Sequence, residues 1–204
     1  MDAEYYQPKY DRLFIYLNGF PCSTLGELTS ILKSVEPGSD AYQDNGIPFV
    51  RVQDLTKFGI TETDVHLSEN DYPTVIRPKK DTILLSKDGS VGIAYKVEED
   101  TNCITSGAIL HLTVKDRNVL PDYLTLVLNS IIVKMQAERV AGGSIIQHWK
   151  PSEIETVKVP ILPKTIQKEL SNKVQLCFAL RKESEQLLQD AKTLVENVIY
   201  NNRY

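Results

Sequence analysis

After Pro163 the chain holds neither proline nor glycine to its end at Tyr204. A run of that length without a breaker, rich in Leu, Lys, Glu and Gln, can only be one long helix. The spacing predicts it over about Thr165 to Asn197, which at 1.5 Å per residue is about 50 Å. Leu170, Val174, Cys177, Arg181, Ser184, Leu188, Ala191, Val195 and Val198 keep a 4–3 spacing, flanked by Leu176, Leu180, Leu187 and Leu194. A single small core cannot cover such a length. The helix either lies solvated along its own domain or forms a seam with a helix from another chain. We expect the seam, with Leu170, Val174, Cys177, Leu180, Leu187, Leu188, Ala191, Leu194, Val195 and Val198 as its dimerisation residues.

Upstream the pattern is mixed. Pro8 to Asn18 reads as a short amphipathic helix stopped by Asn18-Gly19, and Thr24-x-x-Glu27 matches a capping box before a second. Ile47 to Val52 alternates at period two and reads as a strand. Thr82 to Ser86 and Val91 to Val97 flank Lys87-Asp88-Gly89-Ser90, a hairpin turn in which Asp-Gly supplies positive φ. Ala108 to Val114 is another strand. The stretches 36–46 and 66–81, rich in Asp, Asn and Pro, read as exposed loops. Pro121 to Val140 reads as one helix, entered by proline and ended by Ala141-Gly142-Gly143. The fold class is therefore α+β: a mostly antiparallel sheet flanked by helices over 1–162, then a long coiled-coil helix over 163–204.

Charge constrains the partners. The net charge is −4 overall, but residues 1–133 carry −7 and residues 134–204 carry +3. That balance argues against a generic nucleic-acid binder and leaves room for a basic face near Lys134 to Lys158. Cys22, Cys103 and Cys177 are odd in number and far apart, which suits a reducing cytoplasm rather than a disulfide framework. No apolar stretch is long enough for a membrane span, and Met1 to Tyr10 lacks the features of a secretion signal.

No catalytic constellation emerges. Phosphate-cradling glycine motifs are missing, and His66, His111 and His148 have no ligand-like spacing to one another or to a cysteine. His111 lies in a strand pattern and reads as structural. Ser90 and Ser144 follow glycines without a nucleophile-elbow pattern. We expect no catalytic residues, no metal and no cofactor.

Four segments carry a resemblance. They are D-A-E-Y-Y-Q-P-K-Y at Asp2 to Tyr10, I-P-F-V-R-V-Q-D-L at Ile47 to Leu55, and D-T-I-L-L-S-K-D-G-S-V-G at Asp81 to Gly92. The fourth runs from Gly143-Ser144 through Val157 to Pro160, then Pro163 and Gln167, into the helix. In this order and spacing they resemble one half of the specificity (S) subunit of type I restriction–modification systems. The resemblance implies a target recognition domain over 1–162 followed by a spacer helix. It also implies double-stranded DNA as ligand, methyltransferase (M) subunits as partners, and in some complexes restriction (R) subunits. Such subunits are not enzymes. The usual S subunit has two recognition domains and two long helices packed antiparallel; this chain has one of each, so a half-size subunit acting as a homodimer is expected. A scaffold that works through its coiled coil without touching DNA is the alternative.

Recognition would fall to polar side chains on loops, since base edges specify and phosphates position. The candidates are Arg51, Gln53 and Lys57 after the first strand, Lys87 and Ser90 at the hairpin turn, and Lys134 and Arg139 near the helix end. Ser144, Gln147, His148 and Lys150 complete them, in the loop after the glycines. Trp149, between two of these, reads as a packing anchor rather than a stacking platform.

Overall fold

The computed structural model describes residues 3–141 and 148–201. Helix α1 (Pro8–Leu17) leads into strand β1 (Cys22–Thr24), helix α2 (Leu25–Leu28) and strand β2 (Thr29–Lys33). Strands β3 (Ile47–Val50), β4 (Leu55–Thr56), β5 (Gly59–Ile60) and β6 (His66–Leu67) follow. Next come β7 (Ile83–Ser86), β8 (Ala94–Lys96), β9 (Ile104–Thr105) and β10 (Ile109–Val114). Helices α3 (Pro121–Leu128), α4 (Ile131–Ala141) and α5 (Pro151–Glu155), strand β11 (Lys158–Pro160) and helix α6 (Lys164–Asn201) complete the chain.

An antiparallel sheet of order β2-β10-β7-β8 forms the centre. Strand β10 pairs on both sides, with Leu112 opposite Ile31 and Ile83. Central position explains why both its faces are apolar: Leu110 and Leu112 enter one core with Leu25, Leu28, Tyr123 and Trp149, while Ile109 enters a second with Val50, Leu84 and Val97. A smaller sheet, β6-β3-β9, holds a third cluster of Ile47, Phe49, Leu67 and Ile104. Its β3–β9 pair is parallel, as is the isolated Val35–Ser106 bridge, in a sheet system otherwise antiparallel as expected.

The capping box forms: Glu27 N donates to Thr24 Oγ1 at 3.3 Å, and Thr24 N donates to Glu27 Oε2 at 2.8 Å. The hairpin also forms, with Leu84 opposite Tyr95 and Gly89 and Gly92 at φ of 69° and 86°. Residues 66–81 are less open than expected, because His66–Leu67 pairs with β3 and Tyr72 and Val75 pack on the third cluster.

The helix expected over 121–140 is two helices. Asn129 accounts for the break. Its amide Nδ2 donates to Ala94 O at 2.7 Å and Thr125 O at 3.0 Å, while Oδ1 accepts from Ala94 N at 3.1 Å. Ser130 Oγ donates to Val127 O at 2.6 Å. Ser130 thus occupies Val127 O, the carbonyl that Ile131 N would use in a continuous helix, while the Asn129 side chain bolts α3 to the edge strand β8.

His111 is buried on β10, and its Nε2 lies 2.8 Å from Thr105 Oγ1. Desolvation holds its pKa down at about 4. The folded pKa lies below the unfolded value, so the unfolded chain binds a proton first as pH falls. Stability from neutral His111 is therefore complete above about pH 6.5 and is lost progressively toward pH 4, at a total cost of about 3 kcal/mol. Urea midpoints measured between pH 7 and pH 4 should fall over that window, and should fall less in His111→Gln.

Helix α6 runs for 38 residues, longer than expected at both ends. Its first turns are fastened to the domain. Gln167 is fully buried; its Nε2 donates to Asn118 O and Leu162 O, and its Oε1 accepts from Leu120 N. Gln175 donates to Asp122 Oδ2 at 3.0 Å. Asp122 also meets the buried Lys96 at 3.0 Å, with Glu98 at 3.2 Å and Asp81 at 3.6 Å. Burial alone would lower the Lys96 pKa, but Asp122 and then Glu98 reverse this and raise it, so Lys96 is held charged. Farther along, Phe178 meets Phe58 and Tyr95, and the Arg181 guanidinium lies 4.4 Å from the Phe58 ring centre. Beyond Phe178 every side chain described on α6 is exposed.

Candidate nucleic-acid interface

The β7–β8 hairpin turn is the hub. Lys87 N donates to Ala108 O at 2.8 Å, and Lys87 O accepts from Trp149 N at 2.8 Å. The turn is thereby stitched to the segment that carries His148 and Lys150, and Asp88 and His148 form an antiparallel bridge. Asp88 is held by the Lys87 ammonium on one carboxylate oxygen and by His148 Nδ1 on the other. Trp149 is fully buried, the packing role expected of it.

On the other side of the turn, Gly92 and Val91 join Lys57, Lys134 and Asn129 around a cleft of about 460 Å³. The structure thus brings together Lys57, between β4 and β5, and Lys134 from α4. Ser90, Lys57, Lys134, His148, Lys150 and Gln53 are all exposed. Lys150 N donates to Glu153 Oε2 at 3.2 Å in its own helix cap, and the Lys150 side chain, its ammonium 3.8 Å from Glu153 Oε1, is 66% exposed.

Three cations expected at the interface are turned inward. Lys87 is buried, its side chain only 5% exposed, because its ammonium neutralises Asp88. Arg51 is committed to Asp54 at 3.2 Å and Asp64 at 3.0 Å. Arg139 is clamped between the rings of Tyr5 and Phe14, at 4.4 and 5.1 Å, with Asp11 at 3.8 Å. Each serves the fold instead of offering a free charge. Ser144 and Gln147 lie outside the described residues. Sequence reasoning missed Asp88 and Asn129 as parts of this region; the Asp-Gly turn signal hid the first, and the apolar period of the helix hid the second.

Along α6, Leu170 packs on the domain's own core and Val174 is half-buried, so these two dimerisation candidates are already covered in part. Cys177, Leu180, Leu187, Leu188, Ala191, Leu194, Val195 and Val198 are exposed. No helix among the described residues is long and apolar enough to cross a membrane.

The chain matches the family model "Type I restriction modification DNA specificity domain" over residues 20–187. No curated protein matches its sequence. Among solved structures it is similar to the S subunit of a type I restriction–modification system from M. genitalium, with a TM-score of 0.64 and 17% identity over 87% of this chain and 44% of that one. The HsdS subunit from Thermoanaerobacter tengcongensis gives 0.54 and 21% over 81% and 40%. A chain from a study of complex assembly and conformational transition of the type I R-M system gives 0.59 and 17% over 95% and 50%. The chain spans half or less of the length of each. At these identities the likeness is one of fold.

Proposed function

The chain belongs to the family of type I restriction–modification DNA specificity domains, and from that we propose that it reads one part of a split DNA sequence for a methyltransferase and restriction complex, itself without catalysis. Residues 1–162 are the recognition domain and 163–204 the spacer. Family membership carries the reading. The exposed Lys57 and Lys134 around one cleft, with Ser90 at the hairpin turn and His148 and Lys150 on the segment joined to it, support it with a surface that a duplex can approach. Lysines there would hold phosphates, while Ser90, Gln53, His148 and the loop residues Ser144 and Gln147 would meet base edges.

Two copies paired through α6 would present two such surfaces related by a two-fold axis, and so would select a palindromic split site. Methyltransferase subunits, and in some complexes restriction subunits, would assemble on that frame in the cytoplasm. They would also supply phosphate neutralisation that a chain of net charge −4 lacks.

The test is selection of duplexes from a randomised library by the purified chain, alone and with a methyltransferase subunit. Enrichment of a bipartite sequence is the expected result; no enrichment under either condition defeats the reading and favours a scaffold. For the isolated chain we expect weak binding. Fluorescence anisotropy on a mixed-sequence duplex should show that Lys57→Ala with Lys134→Ala lowers the salt slope by about 2 without changing sequence preference. Arg139→Ala should leave that slope unchanged, because its charge is already taken.

A further inference from the structure

Asp88 is the residue on which the hairpin turn and the His148 segment meet. Its Oδ2 takes the Lys87 ammonium, and its Oδ1 takes His148 Nδ1. Of the three side chains only the imidazole is open to solvent. His148 is 57% exposed, against 25% for Asp88 and 5% for Lys87.

Both ends of the Asp88–His148 contact rest on fixed backbone. Within the turn, Ser86 Oγ donates to Ser90 O and accepts from Ile93 N at 2.9 Å. Lys87 N, just before Asp88, donates to Ala108 O at 2.8 Å. His148 is held from its other side by Trp149, whose N donates to Lys87 O at 2.8 Å and whose ring is fully buried. Asp88 and His148 also face each other as an antiparallel backbone bridge. The imidazole is thus aimed by a side chain and by two anchored backbone segments, the support a recognition group needs.

The partner decides what the ring can offer. A carboxylate only accepts, so Nδ1 carries the single N–H of a neutral imidazole and Nε2 keeps a bare lone pair. The Lys87 ammonium already balances the Asp88 charge, so the ring does not have to be charged to hold its place. A fixed acceptor selects donors. On the major-groove edge the donors are the adenine N6 and cytosine N4 amino groups, while guanine and thymine offer only acceptors there.

We propose that Asp88 is a positioning residue for base recognition, presenting His148 Nε2 as the acceptor for the exocyclic amino group of an adenine or cytosine in the major groove. The inference rests on the proposed DNA reading and adds one reader, its support and the base group it takes.

The full chain with a methyltransferase subunit first selects its sequence from the randomised duplex library, at about pH 8, where an imidazole is free of its second proton. The same selection with His148→Ala identifies the base pair that relaxes. Duplexes are then made in which the adenine of that pair is replaced by purine, or its cytosine by 2-pyrimidinone, so that the amino group is gone. We expect the unaltered chain to bind them about three- to tenfold more weakly than the parent duplex, and His148→Ala to bind both alike. Asp88→Asn should lose the preference at that one pair, keep it at the others, and add nothing to the loss in His148→Ala.

A loss on 7-deazapurine replacement instead means that the ring donates, and a loss on replacing guanine by inosine means that it works from the minor groove; either overturns the proposal. Relaxation at every pair in Asp88→Asn means that the carboxylate serves only the fold, and also overturns it. If Asp88→Asn unfolds the chain by leaving Lys87 unpaired, Lys87→Met with Asp88→Asn removes the buried charge and must show the single-pair loss, or the positioning role fails. A selected sequence that His148→Ala leaves unchanged defeats this inference alone. Selection of no sequence by the unaltered chain defeats the DNA reading beneath it.

Discussion

Light scattering on the Leu180→Asp, Leu187→Asp variant should return the mass of one chain where the unaltered protein returns that of two. Both leucines are exposed in the single chain, 55% and 61%, so the aspartates cost the isolated domain almost nothing. In a pair they are buried without partners. An uncompensated buried carboxylate costs several kcal/mol, and a dimer would hold four, so the dissociation constant should rise by at least about 10⁴-fold. Circular dichroism and thermal melting should show the recognition domain intact. A variant that still dimerises would place the contact elsewhere, with the domain-facing side of α6 or the globular unit as the remaining surfaces.

Trp149→Ala should have the largest effect on the domain itself. The indole is fully buried among Leu25, Leu85, Leu112 and Ile154 of the largest core cluster. Truncating a buried aromatic to alanine costs about 3–5 kcal/mol, a large share of the roughly 5–15 kcal/mol that holds a domain folded. At about 2–4 °C per kcal/mol the melting temperature should drop by about 6–20 °C. The indole Nε1 is buried with no hydrogen-bond partner among the described residues, so Trp149→Phe should lose only volume and cost far less. Any loss of DNA binding in Trp149→Ala should track unfolding, since the ring faces the core; Trp149→Phe should bind as the unaltered chain does. Reduced binding in a well-folded Trp149→Phe would show that the indole has a role at the surface.

Much of this architecture could be read from residues in a line. A helix of 38 residues announces itself by what it lacks, and α1, the capping box, the β7–β8 hairpin and β10 follow local rules of period and turn. Elements made by their partners were not legible. Strand β1 is three residues long and exists because Ser23 lies opposite Val159 of β11. Strand β2 reads T-S-I-L-K, with no alternation to betray it; β10 supplies its reason. Site residues failed on the same ground. Arg51 and Arg139 look like free cations until Asp64, Asp11, Tyr5 and Phe14 arrive from elsewhere in the chain. The sequence signal pointed to a region, the hairpin and the stretch around Trp149, which the Trp149 N to Lys87 O bond joins in space. Which cations are spent internally is a property of the fold.

The β1–β11 ladder also has a kinetic meaning. It joins Cys22 to Pro160, enclosing nearly all of the globular unit in one loop. Tyr123 ties that ladder down by donating to Pro160 O at 2.7 Å, and Gln136 does so by donating to Lys158 O at 2.9 Å and accepting from Lys158 N at 2.8 Å. A contact of such sequence separation repays its closure entropy only after the intervening chain has ordered. On a ribosome, moreover, residues 158–160 emerge just ahead of α6. The globular unit can therefore close only as α6 begins to emerge, so the ladder and the first turns of the helix are completed together at the end of synthesis.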